Sequence, residues 1–267
     1  MTTLVLIFMF FGDIIGGHQG MMTALWAALG INFFSYFFSD TLVLKQYRAT
    51  EVSPAQMPEL YKIVSRLAGK SGLPMPKVYL IPDETPNAFA TGRNPQHAAV
   101  AVTKGLLNLT TADELEGVLA HELSHIRHYD ILTGSIAAVF AGAIAGLANF
   151  TGTRNSRSGN KSGWLAAILL PLAAAVIRMS ISREREYKAD EGAAYLTGHP
   201  EWLASALSKL DNYAKNYQLK SLSAHTSHLF IVNPLSGGRS LYRLLATHPS
   251  TADRIARLKQ IASELHR

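Results

Sequence analysis

Four apolar stretches constrain this chain more than any other feature of its sequence. Residues 21–38 and 131–150 contain no charged side chain. As helices that rise about 1.5 Å per residue they would measure roughly 27 and 30 Å, which is the thickness of a bilayer core. Residues 4–15 form a shorter stretch, and residues 164–181 carry no charge apart from Arg178, whose guanidinium can reach the headgroups. The pattern predicts helices inserted in a membrane.

The apolar stretches divide the chain into four parts. We expect a transmembrane hairpin in residues 1–40 and a second hydrophobic hairpin in residues 131–181. Residues 41–130 and 182–267 carry most of the charged side chains. We therefore expect these two parts to form one domain outside the bilayer.

Charge and composition narrow the class of protein. The net charge is +6, and its basic excess flanks the apolar stretches, which favours a membrane surface over nucleic acid as a partner. Lys45 and Arg48 follow the first hairpin and favour a cytoplasmic location for both its ends, whereas the basic residues of 151–162 argue for the opposite orientation of their loop. The absence of Cys excludes disulfides, thiolate metal sites and a cysteine nucleophile.

The pattern H-E-x-x-H occupies residues 121–125, inside a segment that Thr111 and Glu114 open with a capping-box sequence. On a helix, the imidazoles of His121 and His125 lie about 40° apart and one turn above each other, so both can bind one metal ion. Glu122 lies about 100° round from His121, beside the metal, where a carboxylate can act as a general base.

A catalytic zinc takes three protein ligands, so a third must come from elsewhere in the chain. Metzincins place it six residues after the second His, but this position is Ile131. We predict Glu186 as the third ligand and Asp190, one helical turn later, as the acceptor for the second ring N–H of a liganding His. Both ligand sets lie just outside apolar stretches, so they can meet only if residues 131–181 return to the side from which they start.

Residues 51–111 predict a small sheet before the metal-binding helix. Lys77–Ile81 and Ala98–Thr103 are short β-prone runs with a turn at residues 92–95 between them. We expect the two runs to belong to an antiparallel sheet, with Ala98–Thr103 as the edge strand that holds an extended peptide and residues 87–92 as a loop facing it.

Six blocks of this sequence resemble, in order, those of the HtpX-type membrane zinc metalloproteases, which are relatives of the Ste24 CAAX-prenyl proteases. The blocks are residues 32–40, 86–92, 99–103, 119–125, 182–190 and 247–250. The resemblance implies an α+β, predominantly helical fold, in which a zincin-like metalloprotease domain with a small antiparallel sheet is built onto transmembrane helices. Residues 41–130 would be its first part and residues 182–267 the remainder.

The resemblance also implies the composition of the site. One Zn²⁺ per chain would be bound by His121, His125 and Glu186, with Glu122 as the catalytic base. His248 and Arg254 would reach the site, where His248 would donate a hydrogen bond to the developing oxyanion.

Together these observations predict a membrane-bound zinc endopeptidase that cleaves misfolded or membrane proteins at the cytosolic face. The resemblance implies a role in protein quality control and a location in the bacterial cytoplasmic membrane, with several membrane passes and the active site in the cytoplasm. The expected partners are protein substrates and the lipid bilayer, and no nucleic acid. Two alternatives are a processing protease of defined specificity and a non-catalytic membrane scaffold stabilised by a structural metal.

Overall fold

The computed structural model describes residues 2–135, 183–216 and 249–265, which form a mostly helical fold with one small sheet. The helices are α1 (Thr2–Gln46), α2 (Pro58–Ser71), α3 (Lys104–Leu109), α4 (Ala112–Arg127), α5 (Arg183–Thr197), α6 (Pro200–Asn216) and α7 (Thr251–Leu265). The strands are β1 (Thr50–Glu51), β2 (Lys77–Ile81), β3 (Ala88–Gly92) and β4 (Ala98–Thr103).

The sheet is mixed, so the prediction of an antiparallel sheet is wrong in one pairing. Its strand order is β1-β2-β4-β3. The two strands predicted from the sequence, β2 and β4, pair in parallel with Lys77 opposite Ala99, while the outer pairs β1–β2 and β3–β4 are antiparallel. Parallel neighbours need a crossover between them, and here that crossover contains β3.

Strand β3 replaces the loop predicted for residues 87–92, and it also corrects the predicted edge. It forms a hairpin with β4 and lies at the end of the sheet, whereas β4 is paired on both sides. The sequence Ala-Phe-Ala-Thr-Gly has few β-branched residues and no alternation of apolar and polar side chains, which is why it carries no strand signal. The edge strand is thus β3 and not β4.

Helix α4 lies at the centre of the described fold. It packs against α5 and α6, and α7 packs against both of these. Two glycines allow the close approach: a Cβ added at Gly192 of α5 would lie 2.5 Å from Ser124 Oγ, and one added at Gly117 of α4 would lie 2.7 Å from Leu203 N. These contacts hold the helix that carries Glu186 against the helix that carries both histidines.

The two faces of the sheet have different partners. Val78, Val100 and Val102 point into the main core, with side chains from α2, α4 and α6. Phe89 and Ala101 point to the opposite face, where the C-terminal end of α1 covers them. The sheet therefore separates α1 from the helical core that contains α4.

Helix α1 is broken at Gly16 and Gly17, where Gly17 has φ 58° and ψ −150°. A Cβ added at Gly12 would lie 2.6 Å from Gly20 O, so the chain on the two sides of the break is in close contact. No single helix among the described residues is long and apolar enough to cross a bilayer. The segments Gly16–Phe34 and Tyr36–Gln46 meet at 61° and satisfy the length and hydropathy requirements only as a pair. The hairpin of residues 1–40 stays a prediction.

Two predicted features lie outside the described residues. Residues 130–135 are helical and begin the stretch predicted as a second hydrophobic hairpin, but residues 136–182 are not described. Residues 217–248 are not described either, and they include His248.

Candidate metal centre

The helix that carries the H-E-x-x-H pattern begins as predicted. Thr111 Oγ1 accepts a hydrogen bond from Glu114 N at 3.3 Å, and Glu114 Oε2 accepts one from Thr111 N at 2.8 Å, which confirms the capping box. Burial raises the pKa of Glu114, but hydrogen bonds from Lys209, Thr111 and Ser205 outweigh it and hold that pKa below its usual value. The first turn of α4 is therefore tied to α6 through an ionised carboxylate.

Three predicted ligands lie together between α4 and α5. His121 Nε2 and His125 Nε2 are 3.2 Å apart, and their rings are nearly perpendicular. The Glu186 carboxylate faces both, with Oε1 3.5 Å from His125 Nε2 and Oε2 3.8 Å from His121 Nε2. Of the described residues, only this group of three offers ligand atoms close enough to share a metal ion.

Two carboxylates determine the tautomers of these imidazoles. Asp190 Oδ1 lies 3.0 Å from His121 Nδ1, and Asp130 Oδ2 lies 3.1 Å from His125 Nδ1. We assign the ring protons to the Nδ1 atoms, because ionised carboxylates only accept hydrogen bonds. The two Nε2 atoms, 3.2 Å apart, are then free to share one proton or to bind one cation.

The spacing of the donors fits a tetrahedral ion. Ligand atoms at about 2.0–2.1 Å from a tetrahedral Zn²⁺ lie about 3.3–3.4 Å from one another. The Nε2–Nε2 distance of 3.2 Å is close to this value, and the two distances to Glu186 exceed it by a few tenths of an ångström. Two imidazoles and a carboxylate are also a donor set that zinc accepts.

The electrostatics of the site favour a positive charge. Burial lowers the pKa of His125, but the hydrogen bond to Asp130 and the charges of Glu186 and Glu122 outweigh it and raise that pKa to about 9. The carboxylates that stabilise an imidazolium here would stabilise a metal cation in the same way, and metal binding would displace the proton.

Arg254 of α7 contacts the same cluster through Asp190 and Glu186. Its guanidinium is 1% exposed and donates two hydrogen bonds to Asp190, at 2.8 Å from Nε and 2.6 Å from Nη2. Nη1 also lies 3.7 Å from Glu186 Oε2. Burial raises the pKa of Asp190, but Arg254 outweighs it and keeps that pKa below its usual value. The carboxylate next to His121 is therefore ionised.

Glu122 lies beside the three ligand residues and faces the sheet. Its Oε2 accepts a hydrogen bond from Ala90 N of β3 at 2.8 Å. Burial raises the pKa of Glu122 above its usual value, against the opposing effect of the two histidines. A carboxylate with a raised pKa binds a proton more readily, which is the property a general base needs.

The structure therefore brings together six of the seven predicted site residues: His121, Glu122, His125, Glu186, Asp190 and Arg254. The seventh, His248, lies outside the described residues. Sequence reasoning missed Asp130, which contacts His125, and Arg185, whose Nη1 donates to Asp130 Oδ1 at 3.3 Å. It also missed the amide of Ala90. An acidic residue just past the end of the metal-binding helix was the available signal for Asp130.

Comparisons with known proteins agree with this geometry. Residues 54–262 match the model of peptidase family M48. The chain is 61% identical to a protease HtpX homolog of Campylobacter curvus, over 99% of this chain and 96% of that protein. It is 53% identical to a protease HtpX homolog of Sulfurovum sp., over 98% of this chain and 96% of that protein.

Among solved structures, the fold is similar to the crystal structure of S. mikatae Ste24p, with a TM-score of 0.54 and 19% identity. The alignment covers 97% of this chain and 63% of Ste24p, and at 19% identity the likeness concerns the fold alone. The match to the family model and the identity with HtpX proteins over nearly the full length lead to one conclusion: the chain belongs to peptidase family M48 and is an HtpX-type metallopeptidase.

Proposed function

We propose that this chain is a membrane-bound, zinc-dependent endopeptidase that cleaves misfolded or membrane proteins at the cytosolic face of a bacterial inner membrane. The observation that carries the proposal is the meeting of His121, His125 and Glu186 beside the carboxylate of Glu122. Such an arrangement combines a Lewis-acid site with a general base, which is what hydrolysis of a peptide bond requires.

One Zn²⁺ would be held by the two Nε2 atoms and the Glu186 carboxylate. When bound, zinc would polarise a carbonyl group and lower the pKa of water. Asp190 and Asp130 would hold the two imidazoles in the tautomer that leaves Nε2 free for the metal.

Glu122 would take a proton from the attacking water and pass it to the leaving amine. The hydrogen bond from Ala90 N holds one carboxylate oxygen, so the other oxygen remains to accept the proton. His248 would donate a hydrogen bond to the oxyanion, a role that rests on the resemblance alone.

Strand β3 is the element that would bind the substrate backbone. Asn87 O accepts a hydrogen bond from Thr103 N on the β4 side, whereas Ala90 N donates to Glu122 and therefore points to the free edge. Along an antiparallel strand, the N–H and C=O groups of successive residues point alternately toward the partner strand and away from it. An extended peptide lying along β3 would pair with the outward groups that Glu122 leaves free, next to the metal ligands. Because main-chain hydrogen bonds do not depend on which side chains the substrate carries, we expect the chain to cleave a broad range of sequences.

Proteolysis by the purified, detergent-solubilised chain tests the proposal. We expect cleavage of an unfolded protein substrate with zinc, none with a chelator, and a fall of about 10²–10⁴-fold for Glu122→Gln at unchanged zinc content. Asp113→Asn, an exposed acid in the first turn of the same helix, is the matched control and should retain activity. Activity that survives Glu122→Gln would contradict the assigned base. Cleavage at one defined bond only would favour a processing protease.

Membrane insertion has support of its own. Helix α1 exposes large apolar side chains along its length, among them Phe10, Trp26 and Phe33, and such a surface is unfavourable in water. Because the chain has no Cys, single cysteines report topology without other changes. A cysteine at Gln19 should react with a membrane-impermeant thiol reagent from outside the cell, and one at exposed Lys70 only after lysis. The reverse labelling would contradict a cytosolic active site.

A further inference from the structure

We propose that Asp130 is a positioning residue of the metal centre, which orients His125 and joins the helix of the two histidines to the helix of the glutamate ligand. The inference deepens the proposed function and rests on it. It concerns a residue that is not part of the H-E-x-x-H pattern, and it is carried by three separate observations.

The first observation is that the two imidazoles are supported in the same way. His121 Nδ1 lies 3.0 Å from Asp190 Oδ1, and this carboxylate forms an ion pair with Arg254, whose Nη2 lies 2.6 Å from Oδ1. His125 Nδ1 lies 3.1 Å from Asp130 Oδ2, and this carboxylate forms an ion pair with Arg185, whose Nη1 lies 3.3 Å from Oδ1. Each histidine thus has an Asp that accepts its ring N–H and an Arg that holds this Asp.

The second observation is the backbone conformation between His125 and Asp130. On an unbroken helix, a residue five positions after His125 would lie about 140° round the axis from it. Helix α4 ends at Arg127, and Tyr129 adopts a left-handed φ of 60° before residues 130–135 resume a helical conformation. Non-glycine residues rarely take this conformation. Here it interrupts the helix between the two residues, and the Asp130 carboxylate lies 3.1 Å from the His125 imidazole.

The third observation is that the two oxygens of Asp130 accept hydrogen bonds from two different helices. Oδ2 accepts from His125 on α4, and Oδ1 accepts from Arg185 on α5. Arg185 is the immediate neighbour of Glu186, so the contact also constrains where that ligand lies relative to the histidines. A carboxylate in this position can orient an imidazole, raise its basicity toward a metal and keep the third ligand in reach.

Zinc affinity of the full-length, detergent-purified chain tests the inference, measured by competition with a chelator. We expect Asp130→Asn, which keeps the shape but removes the charge, to bind Zn²⁺ about 10- to 100-fold more weakly. The visible absorption spectrum of the Co²⁺-loaded chain should change as well, because it reports the geometry of the ligands. Arg185→Gln leaves Asp130 in place and should cause a smaller loss of affinity.

The matched control is Glu184→Gln, an exposed carboxylate next to Arg185 that pairs with Lys188 at 2.8 Å. It should leave zinc affinity and the cobalt spectrum unchanged. A purely structural role for Asp130 would lower the melting temperature of the metal-free chain without altering affinity, and that result would overturn the inference. Arg185→Gln keeps the test valid where Asp130→Asn does not fold, since unchanged affinity in this variant would equally overturn it.

The two proposals fail in different ways. A wild-type chain that binds zinc but does not cleave protein would contradict the proposed function, while the loss of affinity in Asp130→Asn would still support the role of Asp130. A wild-type chain that binds zinc and cleaves, with Asp130→Asn equal to it in affinity and spectrum, would contradict the role of Asp130 alone.

Discussion

Helices α1 and α4 distribute their side chains in opposite ways. Helix α1 exposes Trp26 and Phe33, at 68% and 64%, whereas α4 buries His121 and Glu122, at 2% and 5%. Neither pattern suits a helix in water, because exposed apolar surface and buried charge are both unfavourable there. The proposed function supplies a partner for each surface: hydrocarbon for α1, and a cation with its paired carboxylates for α4.

The small sheet connects these two environments. The C-terminal end of α1 covers one face through Val43 and Leu44, and the Tyr47 ring lies 5.2 Å from that of Phe89 in β3. The next residue of β3, Ala90, donates its N–H to Glu122 at the free edge of the sheet. Two consecutive residues of this strand therefore contact the C-terminal end of α1 and the proposed general base.

The largest effect on the α4 side is expected from Arg254→Met. The substitution leaves the Asp190 carboxylate buried without the guanidinium that holds it, and removing one partner of a buried pair costs about 3–5 kcal/mol. We expect the free energy of unfolding to fall by this amount in denaturant titrations of the solubilised chain. Lys259→Met, at an exposed position of the same helix, is the control. Equal stability of both variants would show that the buried charge is not held as described.

A charge at the middle of residues 21–38 tests the α1 side. Leu29 is exposed, and an arginine at the centre of a membrane-spanning helix costs about 2.5–3.5 kcal/mol on insertion scales. Leu29→Arg should therefore increase the fraction of the chain that alkaline extraction releases from membranes, while Leu29→Phe should not. If both variants stay in the membrane equally, α1 faces something other than hydrocarbon.

The smallest effect is expected at the start of α4, where the buried charge of Glu114 is compensated by hydrogen bonds from protein groups and involves no metal. Glu114 receives hydrogen bonds from Lys209 and Ser205, both at 2.7 Å. Because its pKa is lowered in the fold, the ionised carboxylate stabilises the folded chain fully above the ordinary pKa of 4.5, and this contribution is lost as the pH falls through the lowered value.

Comparison of wild type with Glu114→Gln should show this dependence. At neutral pH the variant should be less stable by about 1–2 kcal/mol, and the gap should narrow as the pH falls below 4.5. Thermal unfolding of both proteins across this range provides the measurement. A gap that is independent of pH would mean that the charge of Glu114 does not contribute.

Much of the metal centre could be predicted because its parts are local. The spacing of His121 and His125 places both rings on one face of any helix, and the capping box marks where that helix begins. The same periodicity places Asp190 one turn after Glu186. Residues four apart on a helix are neighbours whatever the rest of the chain does, so no knowledge of the fold was needed for these assignments.

The sheet could not be predicted in the same way. Strand β3 has weak intrinsic preference for a strand, and it is one because β4 pairs with it. Its position at the edge, which reverses the roles expected for β3 and β4, follows from the parallel pairing of β2 with β4. Strand order depends on contacts between distant segments, and a run of six residues contains no information about them.

The order of residues along the chain is sufficient to define which donor atoms it can offer to a metal and how they repeat along two helices. Packing of distant segments supplies the groups that support them: Arg185 of α5 donates to Asp130, α7 brings Arg254 next to Asp190, and the amide of Ala90 donates to Glu122. The reason is that helical periodicity is set by local backbone geometry, whereas these contacts join segments up to 64 positions apart, as for Asp190 and Arg254. Such segments become neighbours only when the core packs.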